Sequence, residues 1–351
     1  SLLAYYSIFL SCKCLRGKKY VKGILLTFTF VGLFQFMYCI MQIYFKSLLH
    51  NTVWFVISGN MANGFINNPN FTGSFVILLL GIFVMKYLTD NKNYCLYLII
   101  SICFFINLLL CQSTGPFLGA VFMLIFALVF LIVKKKLKIL RYMMLLLTFI
   151  LCYFGVNYSY QYIGGLSDTN KNYTISYDLK QLERAIKGEM VIYDIPEDDP
   201  TVDMSNLPVK NEDNLNGLGS GRIMIWRNSL KLIPQYYLVG CGIDNFGLAY
   251  KWHYDYVYYD KAHNDYLQIL ITRGVFSLGA YLLFLLMIFI KAVKSEDNLM
   301  WALFLGIVSY AAQSFTNISV VNVAPYFYML CGLMLALLNK KSNKVIVDEK
   351  N

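Results

Sequence analysis

An arginine at the start of one helical segment has the chemistry to bind a phosphate. Arg222 directly follows the small residues Gly219, Ser220 and Gly221 and begins a segment with helical spacing. Small residues before a helix expose backbone N–H groups, and the helix dipole adds partial positive charge there. A guanidinium at that point suits a phosphate or diphosphate. An interfacial arginine paired with a lipid phosphate fits the same pattern, and spacing alone favours that simpler interpretation.

A histidine in the segment KAHNDYLQ is the second candidate for chemistry. His263 is one of three histidines, and Asn264, Asp265 and Gln268 surround it with polar groups. A neutral imidazole can accept a proton near pH 7 or donate a hydrogen bond to an oxyanion. An interfacial histidine without a role fits equally well. Two polar breaks, NNPNFTG (67–73) and QSTGP (112–116), have the composition of ordinary caps and turns.

The composition of the chain requires lipid as its solvent. Of its 351 residues 58% are hydrophobic and only 14% are charged, and the mean hydropathy is +0.54. The pattern therefore predicts an all-α polytopic membrane protein, because helices satisfy every backbone polar group inside lipid. The apolar spans lie at about 1–12, 23–45, 73–88, 94–111, 116–133, 139–156, 275–291, 299–316 and 323–339. Since Ser1 opens inside an apolar run, we expect that upstream sequence has been lost and that nine helices is a minimum.

Basic residues alternate along the connections between these spans. Clusters occur at 13–22 and 134–141, with smaller ones after the third, seventh and ninth spans, whereas 112–115 and 317–322 contain no Lys or Arg. The positive-inside rule predicts that the basic connections face the cytoplasm. The long segment 157–262, with ten basic and fourteen acidic residues, is then extracytoplasmic. Its negative balance argues against nucleic-acid binding.

This assignment divides the chain into four parts. Residues 1–156 are N-terminal transmembrane helices, 157–262 form the large extracytoplasmic loop, 263–339 are C-terminal transmembrane helices, and 340–351 form a cytoplasmic tail. No Cys-x-x-Cys pair or Cys/His cluster with zinc spacing occurs. A disulfide between Cys111 and Cys241 can be drawn, but small apolar packing residues are the favoured interpretation.

The large loop changes character along its length. Residues 168–221 are rich in Asn, Asp, Gly and Pro, which is typical of a flexible segment. The segment RIMIWRNSLKLIP that follows is predicted to be an amphipathic helix on the membrane face or the bundle, ended by Pro234. Its predicted apolar stripe is Ile223, Trp226, Leu230 and Ile233. A glycine turn at 240–246 and an aromatic segment at 250–260 suit the lipid boundary or the stacking of sugar rings.

Three of these segments, in this order, carry a family resemblance: GSGRIMIWRNSLKLI, LVGCGIDNF and KAHNDYLQILITRGVFSLGAYL. They resemble the signature region of the O-antigen ligase and O-antigen polymerase (Wzy/WaaL-like) family. That family has a histidine-asparagine pair, nine residues and then glycine, and here His263 and Asn264 precede Gly274 at this spacing. Ser277 stands where the family usually has Gly, Thr or Tyr.

The remaining family features are present with one departure. Gly221-Arg222, Trp226 and the turn containing Gly240, Gly242 and Phe246 match the upstream pattern, and Asn68-Pro69-Asn70 matches NPN. The Ser-Arg-Gly turn of the family is Ser113-Thr114-Gly115 here. The resemblance covers roughly residues 60–340.

The resemblance implies a GT-C-type glycosyltransferase in the bacterial cell membrane that uses no metal ion or other cofactor. Its partners are a polyprenyl (undecaprenyl) diphosphate-linked glycan donor, a glycan, lipid or cell-wall acceptor, and the lipid bilayer. Arg222 is expected to neutralise the leaving diphosphate, and His263 is either the base for the acceptor hydroxyl or a second diphosphate contact. The remaining candidate substrate contacts are Asn264, Asp265, Trp226, Gly240, Gly242, Asn70, Ser113, Arg227 and Arg273. Arg227 or Arg273 is a candidate to replace the arginine missing at Thr114.

Two other functions fit a polytopic chain. A transporter or flippase of lipid-linked glycans would show charged or broken helices at mid-membrane and internal repeats, and neither is visible. A non-catalytic membrane scaffold would leave Arg222 and His263 replaceable. Polymerase and ligase differ only in the acceptor, which the sequence does not separate, and we favour a surface-polysaccharide polymerase.

Overall fold

The computed structural model describes residues 2–15, 17–45, 61–160, 222–254 and 259–338. Every regular element in this part of the chain is a helix, and the all-α prediction is confirmed for it. The helices are α1 (Leu2–Lys13), α2 (Lys18–Tyr44), α3 (Pro69–Thr89), α4 (Tyr94–Leu110), α5 (Thr114–Val133), α6 (Ile139–Ser159), α7 (Arg222–Tyr236), α8 (Phe246–His253), α9 (Asp265–Lys294), α10 (Asn298–Gln313) and α11 (Ala324–Ala336).

Each of the nine predicted apolar spans coincides with a helix. Five of these helices, α2, α3, α5, α6 and α9, are long and apolar enough to cross a membrane. The helices α4, α10 and α11 are apolar but shorter. A helix of about 20 residues spans the hydrocarbon, so the shorter ones fall below the full thickness. The chain is a membrane protein, and the count of nine crossings stays a prediction.

The chain divides into two compact units. The bundle unit comprises Ser1–Tyr173, Leu286–Gln313 and Ser319–Asn351, and the loop unit comprises Thr174–Leu285 with Ser314–Ile318. Helix α9 contributes its first part to the loop unit and its last turns to the bundle unit.

Helix α3 is the centre of the bundle unit, where it packs against α10, α4 and α5. Asn68 caps its first turn by accepting a hydrogen bond from Phe71 N at 3.1 Å, and Pro69 occupies its first position. Its contact with α10 is close because two glycines face each other. A Cβ on Gly81 would lie 2.8 Å from the Cα of Gly306. Small residues at such a crossing let two apolar helices approach with full van der Waals contact.

Charged side chains gather at one end of the bundle unit and link its helices. Lys18 pairs with Asp297 at 2.5 Å, and Lys134 pairs with Glu296 at 2.6 Å. Arg141 donates to the carbonyl oxygen of Asp90, the C-cap of α3, at 2.6 Å. This end of the bundle therefore brings together basic connections that the sequence assigns to one side of the membrane.

The loop unit has a core of its own. Leu232 of α7, Phe246 and Tyr250 of α8, Ala262 and Ile271 are buried against one another. Helix α8 was not predicted, because its aromatic residues resemble an interfacial segment in the sequence. Its buried residues nevertheless recur at intervals of three and four, as a helix packed on one face requires.

The predicted apolar stripe of α7 is wrong in part. The buried residues are Ile225, Ser229 and Leu232, whereas Leu230 is 53% exposed. The observed buried face differs from the predicted one because Ser229 lies at its centre. A hydropathy pattern assigns serine to the exposed side of a helix. Pro234 does not end the helix, which continues to Tyr236. A proline this near the C-terminus removes only one hydrogen bond.

Filling the α3–α10 contact should destabilise the bundle unit. We expect Gly81→Val to cost about 1–3 kcal/mol, the usual cost of overpacking, because its side chain would press on Gly306. Thermal unfolding in detergent measures the loss. Gly155→Val on α6 is the matched control, since a Cβ there meets no atom within 4 Å. Equal unfolding temperatures for the two variants would contradict the glycine contact.

Candidate functional site

A break in α9 is the first element of the site. Gly274 has φ 78° and ψ 174°, which is non-helical, so residues 265–273 and 275–294 are two helical segments. The N–H of Val275 consequently points away from its own helix and donates to the carbonyl oxygen of Tyr237 at 2.6 Å. The chain after α7 is thereby attached to the start of the second segment.

The break also releases two carbonyl groups of the first segment. The carbonyl oxygen of Ile271 accepts from Cys241 N at 2.8 Å, and that of Thr272 accepts from Gly242 N at 3.0 Å. Each would otherwise accept from an N–H four residues later in an unbroken helix. The turn at residues 240–242 therefore satisfies the free carbonyls at the break.

Two glycines make this approach of backbone to backbone sterically allowed. A Cβ on Gly240 would collide with the backbone of Thr272 and Arg273, and a Cβ on Gly274 would collide with Leu238. Both glycines have positive φ, 79° and 78°, which other residues adopt at a cost. Gly242 also has positive φ, at 101°. Gly240 and Gly242 therefore serve the backbone of the turn, and their predicted contact with substrate stays a prediction.

The first segment of α9 begins immediately after His263 and holds it in place. Asn264 Oδ1 accepts from Leu267 N at 3.1 Å, which is an N-cap, and Gln268 Oε1 accepts from Ala262 N at 2.8 Å. His263 itself has a left-handed backbone, with φ 49°. A non-glycine residue in that region is strained, and the two bonds on either side keep it there.

Asp265 lies in the first turn of α9 and is 7% exposed. Its N–H donates to the carbonyl oxygen of Ser314 at 2.9 Å. An acidic side chain in a first turn is stabilised by the helix dipole. Asn264 and Asp265 therefore both support the start of the helix, and the predicted substrate contacts of these two residues stay predictions.

Arg222 and His263 are brought into electrostatic contact. Burial lowers the pKa of the His263 imidazole below its ordinary value of 6.5, and the positive charge of Arg222 lowers it further, while Asp260 opposes the shift. The imidazole is accordingly neutral at pH 7 and has a lone pair to accept a proton. Residues 219–221, predicted to expose N–H groups before Arg222, lie outside the described residues.

Three side chains around α7 and α9 have buried polar atoms. Trp226 Nε1, Ser229 Oγ and Arg273 Nε have no hydrogen-bond partner among the residues that the structure describes. Trp226 lies one helical turn after Arg222, and Ser229 follows about one turn later. Ser229 was missed by the sequence analysis, since one serine in a helix gives no functional pattern. Arg227 lies on the exposed side of α7.

A tyrosine contact between α7 and α8 was also missed. Asn228 Nδ2 donates to the hydroxyl of Tyr250 at 2.8 Å, and the Tyr254 hydroxyl donates to the carbonyl oxygen of Asn228 at 3.3 Å. Tyr250 and Tyr254 have ring centroids 4.9 Å apart. The contact holds α8 against the helix that begins with Arg222. Because this segment contains many tyrosines, the sequence does not indicate which of them is buried.

The two polar breaks of the bundle unit lie side by side. The Ser113 hydroxyl donates to Asn70 Oδ1 at 2.6 Å, and the Ser74 hydroxyl donates to the carbonyl oxygen of Asn70 at 2.8 Å. A Cβ on Gly73 would lie 2.7 Å from the ring of Pro116. The segments NPN and STG therefore form one polar cluster where α3 and α5 begin.

The cysteines and acidic side chains form no metal cluster in the described part of the chain. There, no group of three His, Cys, Asp or Glu side chains lies close enough together to hold an ion. Cys111 and Cys241 are free thiols; the first is buried in the bundle unit and the second half-buried in the loop unit. The polar half of the predicted loop lies outside the described residues.

Comparison with known proteins gives one family match. The family model described as O-antigen ligase matches residues 99–282, which is more than half of the chain. The matched region includes α7, α8 and the break in α9. Curated protein sequences give no significant match.

Substitution of Gly240 or Gly274 by alanine should destabilise the protein more than the same substitution at other glycines. We expect Gly240→Ala and Gly274→Ala each to lower stability by more than about 1–2 kcal/mol, the cost of left-handed backbone, because a collision adds to the strain. Thermal unfolding and maleimide labelling of Cys241, read by peptide mapping, measure the loss of the turn. Gly279→Ala on the same helix is the control, since a Cβ there meets no atom. Labelling of Cys241 that is unchanged in both variants would contradict the prediction.

Proposed function

Because the chain belongs to the O-antigen ligase family, whose members act in surface polysaccharide assembly, we propose that it is a glycosyltransferase of the bacterial cell membrane. It moves a glycan from a polyprenyl (undecaprenyl) diphosphate carrier to an acceptor hydroxyl on the outer face. The observation that carries this proposal is that Arg222 lies close enough to His263 for its positive charge to lower the pKa of the imidazole.

The reaction needs one cation and one base. The acceptor oxygen attacks the anomeric carbon of the donor sugar, and the bond from that carbon to the diphosphate oxygen breaks. Negative charge then grows on the leaving diphosphate, and a guanidinium placed beforehand stabilises it. Arg222 supplies that charge without a metal ion, and the polyprenyl diphosphate leaves with the bonding electrons.

His263 takes the proton of the acceptor hydroxyl. Its pKa is lowered by burial and by Arg222, so the lone pair is available at neutral pH. A positively charged imidazole would be the better contact for a diphosphate, and this difference favours the base over the second diphosphate contact. As the diphosphate approaches Arg222, its negative charge raises the affinity of His263 for the proton that it accepts.

The remaining predicted residues have supporting places in this scheme. Arg273 has a buried Nε without a partner among the described residues, which makes it a stronger candidate than Arg227 for the missing family arginine. Trp226, one turn after Arg222, offers an indole ring and a buried N–H donor to a sugar. Asn70 and Ser113 form a polar cluster within the bundle unit, and their contact with the donor or acceptor stays a prediction.

The charges of the bundle unit support the orientation. Lys18, Lys134 and Arg141 gather with their partners at one end of the bundle. Asn70 and Ser113 stand at the first turns of α3 and α5, at the opposite ends of those helices. The positive-inside rule assigns the basic end to the cytoplasm, so the polar cluster at the other end of the bundle faces outward.

The variants Arg222→Ala and His263→Ala should each lose most glycan transfer while remaining folded. Loss of a charge-stabilising donor or of a general base costs about 10²–10⁴-fold in rate. Transfer from a polyprenyl-diphosphate donor is measured with purified protein, with and without EDTA. Lys231→Ala, on the exposed side of α7, is the control and should retain activity.

The outcomes separate the parts of the proposal. Transfer at the control rate by both variants would show that the site is elsewhere, whereas no transfer by any of the proteins, wild type included, would indicate a scaffold. Loss of wild-type activity in EDTA would contradict the metal-free mechanism. Carrier movement across vesicles without transfer would indicate the alternative, a flippase of lipid-linked glycans.

The pH dependence of transfer should follow His263. Because the neutral form is active and its pKa lies below 6.5, activity should be level at neutral pH and fall only under more acidic conditions. Asp260→Asn removes the charge that raises this pKa, so the fall should move to lower pH. The profile of kcat/KM against pH measures both, with wild type as reference. A shift to higher pH in Asp260→Asn would refute the assignment.

A further inference from the structure

A group of large apolar side chains in the loop unit is exposed instead of packed. Val239 is 77% exposed and Trp252 is 75% exposed, although α7 and α8 bury other apolar residues nearby. Four further large side chains of the loop unit are about half exposed. We call this group the apolar rim: Tyr237, Leu238, Val239, Ile243, Leu248 and Trp252.

The backbone contacts at Gly274 determine beside which residues of α9 the apolar rim lies. Val275 N donates to the carbonyl oxygen of Tyr237, and Gly274 touches Leu238. The rim therefore begins beside the residue at which the second segment of α9 begins. In space, Tyr237 and Leu238 are neighbours of Val275.

The second segment of α9 has the surface of a lipid-facing helix. Phe276 is 74% exposed, and Val275, Leu282 and Leu283 are exposed as well. Little of the apolar part of α9 is buried inside the protein, and the helix is long enough to cross a membrane. Arg273, the residue before the break, is charged. Residues 265–273 contain no exposed large apolar side chain, so the exposed apolar surface of α9 begins at the break, as at a membrane boundary.

We propose that the apolar rim inserts among the acyl chains of bilayer phospholipids at the boundary where α9 enters the membrane. Leu238 and Val239 adjoin the exposed apolar residues Val275 and Phe276 through the backbone contacts at Gly274. Tyr237 and Trp252 have apolar rings with one polar group each, which suits the level of the headgroups. The rim holds α7 and α8, and with them Arg222, at the membrane surface.

The bilayer is the occupant because the rim adjoins the exposed apolar surface of α9, a helix that is long and apolar enough to cross a membrane. This inference stands on the geometry of α9 and the turn, and it holds whether or not the protein transfers glycans.

Photo-crosslinking tests the proposal with the full chain in nanodiscs of phosphatidylglycerol and phosphatidylethanolamine that contain a few mole per cent of undecaprenyl phosphate. Benzoylphenylalanine replaces Val239 in one protein and Asp244 in the control. Asp244 lies in the same turn and is exposed, but it is polar and pairs with Lys261 at 3.1 Å. Phe276→benzoylphenylalanine is the reference for a lipid-facing position.

Intact mass spectrometry identifies the adducts. We expect several-fold more phospholipid adduct at Val239 than at Asp244, and an amount similar to that at Phe276. Adduct at Phe276 but none above the control level at Val239 would overturn the proposal. Polyprenyl adduct at Val239 beyond its mole fraction, or a crosslinked dimer, would also overturn it, because a substrate groove or a second copy would then occupy the rim. If the Val239 protein does not fold, Leu238 serves as the second position.

Discussion

The loop unit depends on one set of backbone hydrogen bonds, those that close the break at Gly274. An unbroken helix would satisfy the carbonyls of Ile271 and Thr272 internally and leave the turn at 240–242 without partners. The break exchanges two bonds within the helix for bonds to the turn, so no buried backbone group is lost. Because the turn follows α7 and leads into α8, this exchange attaches both helices to the helix that begins just after His263.

The charges at the site depend on that attachment. Arg222 at the head of α7 influences His263 only because α7 is held beside the start of α9. A cation close to a half-buried imidazole is unfavourable when the imidazole is protonated, and the free protein therefore keeps it neutral. An anion that binds beside Arg222 would offset its positive charge and raise the affinity of His263 for a proton. This is the electrostatic condition for a site that stabilises charge developing on a leaving group.

The sequence predicted the helices and the spacing from His263 to Gly274, but not the contacts between the helices. Apolar spans are long and repetitive, so each one coincides with a helix. The stripe of α7 was misplaced because burial of Ser229 depends on which neighbours surround it, which hydropathy does not contain. Likewise, α8 was missed because its tyrosines fit a membrane boundary as well as a core. The spacing from His263 to Gly274 can be read from the sequence. The reason for that spacing cannot, because the helix breaks where it forms backbone hydrogen bonds with a turn that lies far away in sequence.

The same break has a consequence for the surface of the loop unit. The turn forms hydrogen bonds with α9 just before the lipid-facing part of that helix. The side chains of the turn must therefore lie beside the start of the lipid-facing part. Polar side chains at Leu238 and Val239 would be desolvated there, and apolar ones gain about 25 cal/mol for each square ångström removed from water. Exposed apolar residues beside Gly274 are thus expected from the hydrogen bonds alone. The hydrogen bonds at the break therefore determine two features of the loop unit, the placement of Arg222 near His263 and the position of the exposed apolar side chains beside Gly274.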